Sequence, residues 1–219
     1  MSTRNSNMYP EVLDSKRTKV LKELFFLSKD GYYLAGGTAL ALQMGHRTSL
    51  DFDFCYPQHF DSGELFSKLQ SVFGERVTER HREEDTLTGD IDGIHFSFFW
   101  YKYPLIRVLR DFEGVPLASI EDIAAMKIIA IVQRGTRRDF IDIYYLLKRV
   151  DLDALFFWTE EKYPSFNRYM GMRALIYFDD AEKRTDESRI TIFDKNLTWE
   201  EVKKAITKKV RDYQLRMLR

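Results

Sequence analysis

The sequence predicts a mixed α+β (α/β) domain that is followed by a helical region. Segments with helical periodicity alternate with short strand-like apolar runs up to residue 118, and only helical periodicity follows. Of the 219 residues, 44% are hydrophobic and 15% aromatic, which is typical of a globular protein and not of a disordered one. The predicted domains are therefore residues 1–118, with the mixed fold, and residues 119–219, which are helical.

The first predicted elements are a helix, a strand and a second, short helix. Apolar residues at three- and four-residue spacing predict the first helix over residues 18–28. An aromatic run bounded by glycines predicts a strand over residues 32–35. Thr38 is expected to cap the short helix, which should stop at Gly45.

The rest of the mixed domain includes a strand with an acidic face. Residues 50–54 alternate apolar with acidic side chains, so the carboxylates should share one face of that strand. An amphipathic helix over residues 65–73 follows. Further strands are predicted at residues 75–81, 86–90, 94–100 and 115–118, the last of them at an edge because it contains a proline.

The C-terminal region is predicted to be helical throughout. Its last helix begins with a capping-box pattern at Thr198. A polar stretch at residues 183–188 is expected to be a linker. The predicted helices cover residues 119–134, 140–148, 152–163, 166–180 and 198–219.

The charge balance excludes any argument from net charge for a nucleic-acid or membrane partner. Basic and acidic residues both number 34, so the formal net charge is zero. The longest apolar stretch, residues 123–132, is too short to span a bilayer. The polar N-terminus lacks the apolar core of a secretory signal, and the lone Cys55 has no partner for an internal disulfide. We expect a soluble cytoplasmic protein with no membrane partner, in which Cys55 is a small buried side chain.

The pattern that points to chemistry joins two glycines to two aspartates. Gly36 and Gly37 precede a predicted helix, where the backbone can approach a phosphate and the free N–H groups and the Thr38 hydroxyl favour an anion. Asp51 and Asp53 are two apart on a predicted strand, so their carboxylates point the same way and need a cation between them. Mg²⁺ binds carboxylates together with substrate phosphates, which indicates a nucleoside triphosphate site. Each half alone is also a common structural pattern, a turn before a helix and a half-exposed strand.

Two longer runs contain these residues. They are LAGGTALAL at residues 34–42 and HRTSLDFDF at residues 46–54. Together they resemble the signature of the AbiEii/AbiGii toxin family, whose members are nucleotidyltransferases with the DNA polymerase β-like fold. The resemblance implies a polymerase β-like nucleotidyltransferase domain in residues 1–118. It also implies a part in abortive phage infection or a type IV toxin–antitoxin system, with a cognate antitoxin as partner.

A second match lies in the helical region. IEDIAAMKIIA at residues 120–130 and RRDFIDIYYLL at residues 137–147 are similar to the later lysine and aspartate motifs of the family. The resemblance implies that Lys127 contacts nucleotide phosphates, that Asp142 serves catalysis with Asp139 as a supporting candidate, and that the helical domain completes the active site. Lysine is a suitable point charge for phosphate, and residues three apart are neighbours on a helix. The alternatives are a lysine that reaches solvent and aspartates that pair with neighbouring bases.

The resemblance leaves two questions open. Arg47 is either a substrate contact or the partner of a nearby acid. Many polymerase β-like enzymes have a third carboxylate on a neighbouring strand, where this chain has His95 and Ser97. Asp90 or Asp92 would then have to supply it. Without a third acid, activity would be weak, manganese-dependent or lost.

The resulting hypothesis is nucleotidyl transfer that depends on Mg²⁺ or Mn²⁺. Asp51 and Asp53 would hold the metal, and a nucleoside monophosphate would pass from an NTP to an acceptor hydroxyl. The acceptor would be an RNA or tRNA 3′ end or a protein side chain. The nucleotide would contact Gly36, Gly37, Thr38, Arg47 and Lys127.

Two alternatives belong to other functional classes. One is a nucleotide-binding or regulatory protein with weakened catalysis, and the other is an antibiotic-type enzyme that modifies a small molecule. Residues 195–219 carry eight basic and three acidic side chains, which would suit an RNA backbone but are also expected of a solvated helix face.

Overall fold

The chain forms two compact units. The computed structural model describes residues 8–183 and 190–218. The first unit comprises Met1–Pro104 and Val108–Ser119, and the second comprises Leu105–Arg107 and Ile120–Arg219. We call them the α/β unit, which contains every strand of the described residues, and the helical unit. Within the described ranges, no helix is both long and apolar enough to cross a membrane.

The α/β unit contains a helix that changes type along its length. Helix α1, Ser15–Glu23, is capped by Asp14, whose carboxylate accepts the backbone N–H of Arg17 in the first turn at 2.8 Å. It continues as a 3₁₀ helix over Leu24–Asp30, which ends at Gly31 with a φ of +94°. The helix predicted over residues 18–28 is therefore present, but its second half is the tighter form. The other helices of this unit are α2, Gly36–Met44, and α3, Ser62–Phe73, with 3₁₀ turns at Pro10–Val12 and Gly74–Arg76.

One mixed seven-stranded sheet crosses the described part of the α/β unit in the order β3-β4-β5-β2-β1-β7-β6. Strand β1 pairs in parallel with β7, and β2 pairs in parallel with β5. The remaining neighbours are antiparallel. The strands are β1 Tyr33–Leu34, β2 Phe52–Tyr56, β3 Val77–Glu83, β4 Thr86–Ile91, β5 Ile94–Trp100, β6 Arg110–Phe112 and β7 Val115–Leu117.

Alternation along β2 and β5 separates an apolar face from a polar one. Phe52 lies opposite Phe96, and Phe54 lies opposite Phe98. All four rings are at most 1% exposed, and those of Phe54 and Phe98 stack with their centroids 5.0 Å apart. Because successive side chains point to opposite faces, the intervening polar residues share the other face. They are Asp51, Asp53, His95 and Ser97.

The edge-strand prediction was wrong. Strand β7 lies between β1 and β6, so the edge is β6, which is too short to give a sequence signal. Pro116 is tolerated inside the sheet because the backbone donor toward β1 comes from Ala118, whose N–H bonds to Leu34 O at 2.8 Å. The stop at Gly45 and the buried Cys55 are confirmed, and β4 and β5 form a hairpin around Asp92 and Gly93.

The helical unit contains six helices among its described residues. A capping box opens α5 at Thr136 and another opens α9 at Thr198, as predicted for the latter. The helices are α4 Ile120–Gln133, α5 Arg137–Leu146, α6 Leu152–Lys162, α7 Arg168–Leu175, α8 Asp179–Lys183 and α9 Trp199–Met217.

The single helix predicted over residues 166–180 is divided into α7 and α8, and this is a correction. The break contains Phe178, whose ring lies 4.9 Å from Phe140 and 5.8 Å from Trp199 between centroids. Packing of that aromatic side chain therefore outweighs the helical pattern. Beyond its first residue, which ends α8, the linker predicted at residues 183–188 lies outside the described residues.

A buried carboxylate ties the segment Leu105–Arg107 to the helical unit. Asp122 on α4 accepts the backbone N–H of Ile106 at 3.0 Å and the Nζ of Lys162 at 2.7 Å. Both charged side chains are at most 1% exposed. Because a buried charge is costly unless it is paired, the two ions depend on one another.

Candidate active site

Helix α2 begins at Gly36. This residue has a φ of +62°, and Ala35 occupies the cap position. The prediction that Thr38 caps the helix was therefore wrong. Its hydroxyl is buried, lies 2.7 Å from Ser49 Oγ and donates to the backbone carbonyl of Asp51. Thr38 thus fastens α2 to the segment that enters β2.

The two glycines let charged side chains approach the backbone. A Cβ atom at Gly36 would lie 2.5 Å from Asp53 Oδ2, and one at Gly37 would lie 2.6 Å from an Nη atom of Arg47. Real Cβ atoms essentially never come this close. Gly36 also has a positive φ, so that position needs glycine, whereas a side chain at Gly37 would require the Arg47 guanidinium to shift. The glycines place Asp53 and Arg47 directly against the first turn of α2.

Asp51 and Asp53 flank the buried Phe52, and both are partly exposed. The N–H of Ala35 bonds to the carbonyl of Asp53 at 2.8 Å, which holds β2 beside the start of α2. Two carboxylates are a donor set that suits Mg²⁺, which completes its shell with water and substrate phosphates. The described residues contain no group of three His, Cys, Asp or Glu side chains placed to hold a metal.

Arg47 is 2% exposed, although its guanidinium is charged. It donates to the carbonyl of Thr48 at 3.0 Å and lies beside Gly37. A buried guanidinium at the start of a helix adds positive potential at a point where backbone N–H groups already favour an anion. Its contact with substrate stays a prediction.

The candidates for a third carboxylate already have basic partners. Asp90 on β4 accepts from Arg80, and its carboxylate is mostly buried. Asp92, in the turn between β4 and β5, accepts from Arg76 at 2.6 and 3.0 Å. These hydrogen bonds lower the pKa of the Asp92 carboxyl. Asp92 thus stabilises its hairpin, and its supporting role in catalysis stays a prediction.

In the helical unit, Lys127 lies between the two aspartates that the sequence singled out. Its Nζ is 2.7 Å from Asp139 Oδ1 and 2.8 Å from Asp142 Oδ2. Asp139 also accepts from the backbone N–H and hydroxyl of Thr136, so it completes the cap of α5. Burial raises the pKa of the Asp139 carboxyl, but Lys127 and Thr136 outweigh this and hold the pKa below its usual value. The sequence had not indicated that Thr136 belongs to this cluster, although a threonine three residues before an aspartate is a capping signal.

Helix α9 has less available positive charge than the sequence suggests. Ion pairs join Lys203 to Glu182 and Glu200, Lys208 to Asp212, and Arg216 to Asp153. Lys204, Lys209 and Arg211 are exposed, and no ion pair is found for them within the described residues. These three are the cations of α9 that a phosphate could reach most readily.

Comparison with known proteins gives one family. The profile of the family described as nucleotidyl transferase AbiEii toxin, type IV TA system, matches residues 19–217. An uncharacterized protein of Aquifex aeolicus (strain VF5) is 38% identical over 188 residues, which cover 83% of this chain and 87% of that protein.

Solved structures share the fold at low sequence identity. The nucleotidyltransferase toxin MenT4 of Mycobacterium tuberculosis H37Rv has a TM-score of 0.59 and 15% identity, over 88% of this chain and 80% of that one. The antibiotic-resistance factor ANT(2'')-Ia has a TM-score of 0.52 and 14% identity, over 74% of this chain and 97% of that one. The predicted fold class, that of the polymerase β-like nucleotidyltransferases, is confirmed.

Proposed function

The chain belongs to the AbiEii family of nucleotidyltransferase toxins, and from this premise we propose that it transfers a nucleoside monophosphate from an NTP to an acceptor hydroxyl. The observation that carries the proposal is the position of Asp53 against Gly36, at the start of α2. A carboxylate pair for a metal and a helix N-terminus for phosphates then lie in one small region of the α/β unit.

Within this region each side chain has a proposed task. The first turn of α2, with Gly36 and Gly37, binds the phosphates through its free N–H groups. Arg47 adds a fixed positive charge beside them. Thr38 keeps α2 and the entrance of β2 together, so it acts through position rather than by touching the nucleotide.

Asp51 and Asp53 would hold Mg²⁺ or Mn²⁺. A metal bound there would neutralise charge on the phosphates and on the attacking oxygen. The carboxylates fit this task because Asp53 lies on β2, Asp51 is the residue directly before that strand, and both remain partly exposed.

The proposal also gives the helical unit a part in the reaction. Lys127 is proposed to contact nucleotide phosphates and Asp142 to support catalysis, with Asp139 holding Lys127 in place. The acceptor is proposed to be an RNA, such as a tRNA 3′ end, or a protein hydroxyl. We also propose a cytoplasmic location, and a cognate antitoxin as partner because the family is one of type IV toxin–antitoxin systems.

A nucleotide-binding protein with weakened catalysis is the second candidate. It is favoured by the polar face of β5, where His95 and Ser97 stand in place of an acid. Such a protein would bind NTPs without forming product under either Mg²⁺ or Mn²⁺.

The decisive experiment incubates the protein with each α-labelled NTP, Mg²⁺ or Mn²⁺, and total cellular RNA and protein, and asks what becomes labelled. Asp51→Asn and Asp53→Asn should each abolish labelling and leave the melting temperature nearly unchanged, because both side chains are partly exposed. Wild-type turnover in either variant would contradict the metal assignment. NTP binding without labelling in the wild type would favour the second candidate.

A further inference from the structure

A polar row crosses the sheet next to the two aspartates. Strand β5 pairs with β2 so that Ser97 lies opposite Asp53 and Phe96 lies opposite Phe52. His95 is the residue before Phe96, and Asp51 is the residue before β2. On the other side of β5, Asp90 of β4 is the direct partner of His95. Directly paired residues share a face of the sheet, and so do alternate residues along a strand. Asp90 and His95 therefore lie on the same face as Ser97 and Asp53, over three neighbouring strands.

Asp90 is buried, and only one of its two carboxylate oxygens accepts a hydrogen bond from the described residues. The residue is 8% exposed. Arg80 donates from Nε to its Oδ2. Its Oδ1 is buried and has no hydrogen-bond partner among the described residues. A buried carboxylate oxygen without a partner is costly and therefore calls for an explanation.

His95 turns one ring nitrogen toward that oxygen. Its Nδ1 lies 3.8 Å from Asp90 Oδ1 and is also buried without a hydrogen-bond partner in the described part of the chain. The side chain is 33% exposed, and because Nδ1 is buried, this exposure belongs to the rest of the ring. A small side-chain rotation brings Nδ1–H within hydrogen-bond distance of Asp90, which fixes the tautomer and leaves Nε2 as an acceptor.

We propose that His95, oriented by Asp90, is the residue that positions the acceptor hydroxyl. Nε2 accepts a hydrogen bond from that hydroxyl and so aims its oxygen at the α-phosphorus of the bound nucleotide. Asp90 and Arg80 are positioning residues, because they act through the imidazole. This inference rests on the proposed function and names the acceptor-binding residue of the same site.

Two conservative variants separate this role from a structural one. In His95→Gln the side-chain oxygen takes the place of Nε2, whereas in His95→Asn the side-chain amide takes the place of Nδ1 and faces Asp90. If His95 positions the acceptor, Gln keeps transfer within about tenfold of wild type, while Asn and Ala lower kcat about 100-fold. Asp90→Asn lowers kcat about tenfold, since the ring then loses its charged partner.

The assay uses the full chain, the acceptor that the wild type labels, and saturating NTP. Binding of each NTP is measured in parallel and should stay within about twofold in all variants. His81→Ala is the control, because His81 lies on the edge strand β3 and pairs with Glu83. It should leave kcat unchanged.

Three results overturn the inference. If His95→Asn retains activity and His95→Gln loses it, His95 supports the structure of the β4–β5 hairpin and does not position the acceptor. If His95→Ala is as active as an active wild type, His95 is not part of the site, and the proposed transfer function still stands. A wild type that labels nothing removes the proposed function as well. If His95→Ala does not fold, the Gln and Asn pair decides alone, with the melting temperature of each as its folding check.

Discussion

At Gly36, both the backbone conformation and the close approach of Asp53 disfavour any side chain. Its φ is +62°, and an added Cβ would lie 2.5 Å from Asp53 Oδ2. Gly36→Ala is therefore expected to displace the Asp53 carboxylate and to abolish transfer. The left-handed backbone alone should lower the free energy of unfolding by about 1–2 kcal/mol, and the clash should add to this. Urea unfolding and the labelling assay measure the two effects.

Gly93 provides the matched control for this variant. Its φ is +75°, and nothing lies within 4 Å of the added atom. Gly93→Ala should therefore show the backbone cost without the clash and keep its transfer activity. Equal losses of stability in the two variants, with transfer intact in both, would show that the contact of Gly36 with Asp53 does not matter to the site.

At the scale of single residues, the sequence indicated candidate residues more readily than the hydrogen-bond partners of those residues. The Asp51 and Asp53 pair follows from local sequence because a spacing of two on a strand predicts a shared face, and its role in holding a metal stays a prediction. The bond between Thr38 and Ser49 could not be predicted in this way, because it depends on how the loop after α2 folds back. The link of Arg80 to Asp90 requires the pairing of β3 with β4 and an irregular register there, which periodicity alone does not give.

Helices α4 and α5 are joined by one lysine that faces two buried carboxylates. Asp139 is 5% exposed and Asp142 is fully buried. Lys127→Met removes this cation and should lower the free energy of unfolding at pH 7 by about 3–5 kcal/mol. The cost should decrease as the pH falls, because burial now raises the pKa of Asp139 and protonation relieves the charge.

The wild type should behave in the opposite way. Its Asp139 pKa is below the usual 3.8, so the stabilisation is complete above that pH and is lost as the pH falls through the lowered value. Urea unfolding between pH 4 and 8 should give a nearly constant free energy for the wild type and a rising one toward pH 4 for Lys127→Met. A variant whose stability does not change with pH would contradict the buried ion cluster.

Lys203 is the surface counterpart of Lys127. It also contacts two carboxylates, at 2.8 Å each, but its side chain is 21% exposed and the carboxylates of Glu182 and Glu200 are more exposed still. Lys203→Met should cost at most about 1 kcal/mol because water screens the pair. A similar loss in both lysine variants would mean that burial is not the cause. Since Lys127→Met is expected to destabilise, its transfer activity must be compared at a pH where the variant is folded.

Whole elements were predictable where their signals are local. Helices α2 and α3, the β4–β5 hairpin and α9 each have a cap, a stop or a turn within their own sequence. The short β6 and the break between α7 and α8 do not, because β6 exists only through its pairing with β7, and Phe178 leaves the helical pattern to pack against Phe140. Tertiary contacts decided both cases.

At the scale of the whole molecule, a net charge of zero conceals an uneven distribution. Residues 195–219 hold an excess of basic side chains, but several of these are already paired with acids. A cation that already pairs with an acid must break that ion pair before it can bind an RNA phosphate. A cation without such a pair binds the phosphate and releases counterions at no such cost. The structure therefore narrows the proposed RNA contact of α9 to Lys204, Lys209 and Arg211.

These three side chains give the last prediction, which tests RNA as the acceptor. Replacing all three by glutamine should weaken binding of the labelled RNA. It should also reduce the slope of log affinity against log salt by about 0.7 for each lost phosphate contact, or about 2 in total. The matched control neutralises Lys203, Lys208 and Arg216, which removes the same charge from the same helix but from residues that are ion-paired. A smaller change of slope in the control would place the RNA on Lys204, Lys209 and Arg211, for which the described residues show no ion pair. Equal slopes in both variants and in the wild type would make α9 a solvated face and would direct the search for the acceptor surface to the α/β unit.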